Sequence, residues 1–159
     1  MPLLMVGRDR PTSRALALGW LGDLALLGDS PSSFRLGLGS FLAGHLAWVA
    51  ALRHRSRGTL RERPERAIPY VGAWAGLNAY LWPRAGHDRL PVLLYSAAIL
   101  SMALVALDTG ERPVALGGAL FMVSDSLIAL ERFGDVHLPG HEGIVMATYT
   151  SAQALLAST

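Results

Sequence analysis

Two carboxylates sit inside runs of apolar residues, Asp23 in Leu21-Gly22-Asp23-Leu24 and Asp125 in Val123-Ser124-Asp125-Ser126. A charged group in hydrocarbon is costly, so its presence there marks a functional site by default. Two carboxyls that approach within a few ångströms in a low dielectric cannot both ionise, and they share one proton. Such a pair supplies an acid and a base at neutral pH, one group to protonate a substrate and one to activate water. Residue counting predicts a common depth. With the apolar runs ending at Gly28 and Leu130, each aspartate lies five residues inside, or about 7–8 Å at the rise of an α-helix. Tyr95, five residues into the run that begins at Leu90, and Asn78, four before Trp82, fall in the same layer. His45 and Gln153 lie deeper, near the middle of their runs, where a lone polar side chain more often packs by hydrogen bonding than reacts.

Six apolar segments must position these residues: 15–28, 34–52, 67–82, 90–107, 113–130 and 143–157. They are too long for strands and stand at the short end of the roughly 17–25 residues that span a bilayer. The chain is 52% hydrophobic and only 16% charged, against about 25% charged in soluble proteins. The expectation is therefore an all-α, polytopic transmembrane bundle of about six helices, one domain over residues 1–159. Breakers separate the runs, among them Asp29-Ser30-Pro31, Pro64, Pro83, Pro91, Gly110 with Pro113, and Pro139-Gly140. Pro69 and Pro113 stand early enough for first helical turns. The pair Gly72 and Gly76, and the series Gly37, Gly39 and Gly44, have the spacing that lets helix backbones approach in lipid.

All 14 basic residues are arginine, and the formal net charge is only +2. They lie beside the apolar runs, which reads as a topology signal toward anionic membrane lipids and not as a nucleic-acid surface. Arg8, Arg10, Arg14, Arg53, Arg55, Arg57, Arg61, Arg63, Arg66 and Arg112 fall on the side of the N-terminus. Arg35, Arg84, Arg89 and Arg132 fall on the other. That asymmetry predicts both termini in the cytoplasm, and the exclusive use of arginine with abundant Ala, Leu and Gly suggests a bacterial source, hence a bacterial inner membrane. There is no cysteine, which excludes disulfides, cysteine-ligated zinc and thiol catalysis. Residues 1–7 are apolar but are followed, not preceded, by charge, unlike a cleavable signal peptide. His137 and His141 have Pro139-Gly140 between them, which prevents a regular helical metal-binding pair, so residues 135–142 are expected to be a solvated loop without metal.

Several of these residues stand in ordered motifs: Gly22-Asp23; Phe34-x-x-Gly37-x-x-x-Phe41-x-x-Gly44-His45; Leu94-Tyr95; Gly118-Ala119-Leu120-Phe121-x-x-Ser124-Asp125-x-x-Ile128-Ala129 with Phe133 following; and Thr148-Tyr149-x-x-x-Gln153. In order and spacing, through nearly the whole chain, they resemble the YhhN family of membrane proteins, the lysoplasmalogenase family. The resemblance implies a helical membrane enzyme that hydrolyses the vinyl ether bond of lysoplasmalogens, giving a fatty aldehyde and a glycerophospho-base. Its substrate would be an ether lysophospholipid, and no metal or organic cofactor is required. The family's two essential aspartates fall on Asp23 and Asp125. His45, Tyr95, Tyr149 and Gln153 match other family positions, Ser124 adjoins Asp125 within the longest motif, and Asn78 joins the set by its depth. Family members typically have about eight helices, so Met1-Pro2-Leu3-Leu4-Met5 reads as the stub of a further helix, the chain being either started late or a shortened paralogue. Two other classes of function fit paired intramembrane acids. A proton-coupled transporter predicts inverted repeats, which the two halves do not convincingly carry. A non-catalytic lipid-binding paralogue predicts no turnover.

Overall fold

Apolar runs bounded by proline, glycine and arginine satisfy their backbone internally, and each folds as an α-helix. The computed structural model describes residues 10–28 and 30–158; the stub expected at Met1-Pro2-Leu3-Leu4-Met5 lies outside them. The helices are α1 (Arg10–Leu26), α2 (Pro31–Arg53), α3 (Thr59–Glu62), α4 (Ile68–Leu81), α5 (Arg89–Asp108), α6 (Arg112–Gly134) and α7 (His141–Leu156), with 3₁₀ turns at Pro64–Ala67 and Gly86–Asp88. No strand occurs among the described residues. Six of the helices coincide with the six apolar runs. The added α3 is a single turn inside the arginine-rich connection.

Segments of α2 (Leu36–Arg53) and α6 (Arg112–Gly134), and α5 with the turn before it (Gly86–Asp108), are long and apolar enough to cross a membrane. Between 22% and 33% of each is buried within the protein, and Leu36, Leu46, Leu90, Leu94, Leu116 and Ile128 are exposed. An exterior of leucine is the surface that lipid solvates, and the protein is an integral membrane protein. With 17, 14 and 16 residues, α1, α4 and α7 are shorter than the roughly 20 of a full crossing.

The chain divides into two compact units, Met1–Arg55 and Ser56–Thr159. In the first, α1 packs along α2. Ser30 caps α2, its hydroxyl accepting from the Ser33 amide at 3.0 Å, and Pro31 occupies the first helical position, where no amide is needed. Close approach is made by small residues. A Cβ on Gly44 would stand 3.6 Å from Ala15 O and Gly19 N, and one on Gly22 would meet the Phe41 ring at 2.9 Å. Ser40 donates across the contact to Leu18 O at 2.7 Å.

In the second unit α6 is the central helix, in contact with α4, α5 and α7, while α4 also packs on α5. Gly117, near the start of α6, lies against Ala152 and Leu156 near the end of α7, and Gly118 lies against Ala103 and Ala106 near the end of α5. These contacts make α5–α6 and α6–α7 antiparallel. The α5–α6 connection is tight: Thr109 Oγ1 donates to Ala106 O at 2.7 Å and accepts from the Glu111 amide at 3.2 Å. Gly110 takes the left-handed conformation (φ 71°) that glycine adopts without a Cβ penalty. Asp108 holds the arginine-rich segment against the end of α5. Its carboxylate accepts from the Leu60 amide at 2.7 Å and from the Ser56 hydroxyl, and its carbonyl accepts from the Arg57 amide at 3.1 Å.

The glycine reading needs one correction. Gly72 and Gly76 are exposed, with no atom within 4 Å of where their Cβ would lie, and Gly39 is the same. Spacing announces a smooth helix face but not which way the face turns. Gly44, from the expected series, does rest on the α1 backbone, while the tightest contacts are made by Gly22, Gly117 and Gly118.

Candidate active site

Three helices of the second unit each contribute a polar side chain to one cluster. Tyr95 on α5 donates through its hydroxyl to Asp125 Oδ2 on α6 at 3.4 Å. Tyr149 on α7 meets the ring of Phe121, one turn before Asp125 on α6, edge-on, with centroids 5.4 Å apart and planes at 86°. The antiparallel register produces this meeting. Tyr95 lies six residues after the start of α5 and Asp125 nine before the end of α6. The last turn of α6 runs beyond the apolar stretch and carries Glu131 and Arg132, so Leu130 still marks where the apolar run stops.

The neighbouring groups hold the cluster in place. Ser124, fully buried, donates to Val145 O at 3.3 Å and so joins α6 to α7. Gln153, one helical turn beyond Tyr149, is 1% exposed, and its Oε1 has no hydrogen-bond partner among the described residues. An amide oxygen buried in this way is a costly acceptor. Asn78 was expected in the layer of Asp125, but its side chain is engaged elsewhere. It donates to Ser96 Oγ at 3.1 Å and to Trp74 O at 2.9 Å, while Trp74 Nε1 donates to the same Ser96 hydroxyl at 3.0 Å. Ser96 and Trp74 carry no signal in the sequence, because a serine and an indole inside an apolar run are commonplace without their partners. Together with Asn78 they fasten α4 to α5 one residue from Tyr95.

In the first unit Asp23 is half-buried on the last turn of α1, beside Gly22. His45 is buried on α2, next to the Gly44 that rests on the α1 backbone. The alternative at residues 135–142 resolves differently from a uniform solvated loop. His137 is exposed, its Nδ1 3.3 Å from Asp135 O. His141 is buried at the start of α7, with its Nε2 2.7 Å from a Glu131 carboxylate oxygen. The two imidazoles therefore serve different partners, and among the described residues no three His, Asp or Glu side chains are grouped to hold a metal ion.

At the end of this unit where α4 finishes and α5 begins, arginines stack on aromatic rings. Arg84 lies 3.9 Å over the Tyr80 ring and Arg89 5.8 Å from the centroid of Trp82. Arg132 lies 5.7 Å from that of Phe133, and Tyr80 donates its hydroxyl to Gly134 O at 3.0 Å, which ties α4 to the end of α6. Rings and cationic heads in this pairing suit the membrane–water boundary.

The family model described as the YhhN family matches residues 5–159. Two curated relatives named lysoplasmalogenase, from Mycobacterium bovis and Mycobacterium tuberculosis, are each 32% identical over 162 residues, covering 95% of this chain. The chain spans 60% of the length of these relatives. No solved structure matches it.

Proposed function

The chain belongs to the YhhN family, and from that premise we propose that it is a membrane hydrolase that cleaves the vinyl ether bond of a lysoplasmalogen or a closely related ether lysolipid. The relatives' name supports the reaction, and the contact between Tyr95 and Asp125 is the observation that carries the assignment. A carboxylate and a phenol meeting among apolar helices have little structural reason to be there and a clear chemical one.

The reaction needs two proton-handling groups. An acid donates its proton to the β-carbon of the vinyl ether, and the ether oxygen's electrons form an oxocarbenium ion. A water molecule adds to the cationic carbon while a carboxylate takes its proton. The resulting hemiacetal returns its hydroxyl proton to a base, the carbon–oxygen bond to glycerol breaks, and the glycerol oxygen is protonated. One water is consumed, and one aldehyde and one alcohol are formed. In this proposal Asp23 and Asp125 are the acid and the base, Tyr95 aims the Asp125 carboxylate, and Tyr149, Ser124 and Gln153 support that helix contact. His45 and Asn78 act at one remove, through packing. The hydrocarbon tail stays in lipid while the headgroup reaches the boundary. The arginine asymmetry supports cytoplasmic termini, and a bacterial inner membrane is the proposed location.

The purified chain is expected to release fatty aldehyde from a 1-alkenyl lysophospholipid and none from the 1-alkyl analogue, which has no double bond to protonate. Equal cleavage of both, or of neither, overturns the proposal. Tyr95→Phe is expected to lower kcat about tenfold or more, the worth of one hydrogen bond to a charged group, with thermal stability nearly unchanged. Undiminished turnover would show that the phenol does not orient the carboxylate.

A further inference from the structure

We propose that Arg84 and Arg89 form a binding subsite for the phosphodiester of the substrate's headgroup, so that the protein selects phospholipid ethers over neutral ether glycerols. The inference rests on the lysolipid reading above and deepens it. Both guanidinium groups are exposed, and neither has a carboxylate partner among the described residues. Arg84 is held by two contacts, and Arg89 has one aromatic neighbour. Arg84 stacks on Tyr80 and donates through Nη1 to Tyr80 O at 2.7 Å, and Arg89 lies over Trp82. A guanidinium fixed by stacking keeps its remaining N–H donors in a fork suited to phosphate oxygens, and loses less entropy when it binds.

The spacing fits a single lysolipid. Arg89 opens α5 and Tyr95 follows six residues later, a rise of about 9 Å. In a glycerophospholipid the sn-1 oxygen and the phosphorus are five bonds apart, on the order of 6 Å when extended. With the vinyl ether at Asp125 and Tyr95, the phosphate comes up to the level that an arginine side chain reaches down to from the boundary. Asp88, the other charge on this connection, makes no side-chain cap to α5.

The test compares 1-alkenyl-glycerophosphoethanolamine with phosphate-free 1-alkenylglycerol, using the full purified chain and its Arg84→Gln and Arg89→Gln variants. The expected result is a preference of the parent chain for the phospholipid. Each variant should reduce that preference about tenfold, through KM rather than kcat, as the loss of one charge-assisted contact would. Lysine at either position should restore part of it. An unchanged preference, or a matching loss on both substrates, overturns the subsite and leaves the arginines as boundary anchors only. If the parent chain cleaves neither substrate, the hydrolase reading fails by itself. The subsite is then read from tryptophan fluorescence on adding a 1-alkyl lysophospholipid, 1-alkylglycerol or inorganic phosphate. Binding of the lysophospholipid alone, weakened in both variants, supports it. Binding that the variants leave intact, or equal binding of the phosphate-free 1-alkylglycerol, overturns it.

Discussion

Asp125→Asn is expected to reduce aldehyde release by about 10²–10⁴-fold, the range for loss of a general acid or base. Asparagine has the size of aspartate, and its Oδ1 can still accept from the Tyr95 hydroxyl, so the α5–α6 contact seen at 3.4 Å should persist and the chain should unfold at nearly the parent temperature. What asparagine cannot do is give or take a proton. Asp23→Asn is expected to have an effect of the same order, although Asp23 stands on the other unit. The double variant should be little worse than either single one, since groups that act as a unit are not additive. Single-turnover aldehyde formation, paired with thermal unfolding in the same detergent, measures all three. Turnover within about tenfold of the parent in either single variant would remove that aspartate from the reaction, and multiplicative losses in the double variant would mean that the two act in separate steps.

Gly117→Val is expected to cost the bundle more than any other single replacement considered. A Cβ at Gly117 would lie 2.9 Å from the Leu156 amide nitrogen and 3.0 Å from Ala152 O. Those are backbone atoms of α7, which cannot rotate away as a side chain could. Relief requires α6 and α7 to separate, and with them the Ser124–Val145 bond and the edge-on contact of Phe121 with Tyr149. Overpacking typically costs about 1–3 kcal/mol, and a β-branched residue against backbone belongs at or above the top of that range. Gly72→Ala is the matching control. Its site is exposed with open space for a Cβ, and alanine is up to about 1 kcal/mol better than glycine within a helix, so this variant should unfold no earlier than the parent. Thermal midpoints of the two proteins decide the matter: equal stability of the Gly117 variant would sink the packing argument.

The architecture was readable because lipid forces one solution on an apolar run. Residues 34–52 and 90–107 match α2 and α5 within a few residues, with Pro31 and Arg53 bounding the first and Arg89 opening the second. Boundaries drift where polar residues are helical: α1 begins at Arg10 and α6 continues through Glu131 and Arg132 to Gly134, because arginine and glutamate form helices readily once outside the hydrocarbon. In the site, depth was legible and direction was not. Counting put Tyr95, Asn78 and Asp125 in one layer, and Tyr95 does reach Asp125. Asn78 turns instead to Ser96. A uniformly apolar helix has no polar face to announce which way any residue looks, so rotation about its axis leaves no trace in composition. The same blindness hid Ser96 and Trp74 and singled out Gly72 and Gly76 wrongly.

The pairing of polar groups across α4, α5 and α6 has a consequence for biogenesis. Trp74, Asn78 and Ser96 find one another between helices that leave the ribosome consecutively, so this hairpin can settle in the bilayer with those donors and acceptors already matched. The phenol one position away waits for its carboxylate until the following segment is translated, and the second phenol arrives only with the last. Each newly made helix thus enters beside groups able to receive it, and the most expensive side chain of this unit, Asp125, is delivered to a partner already in place.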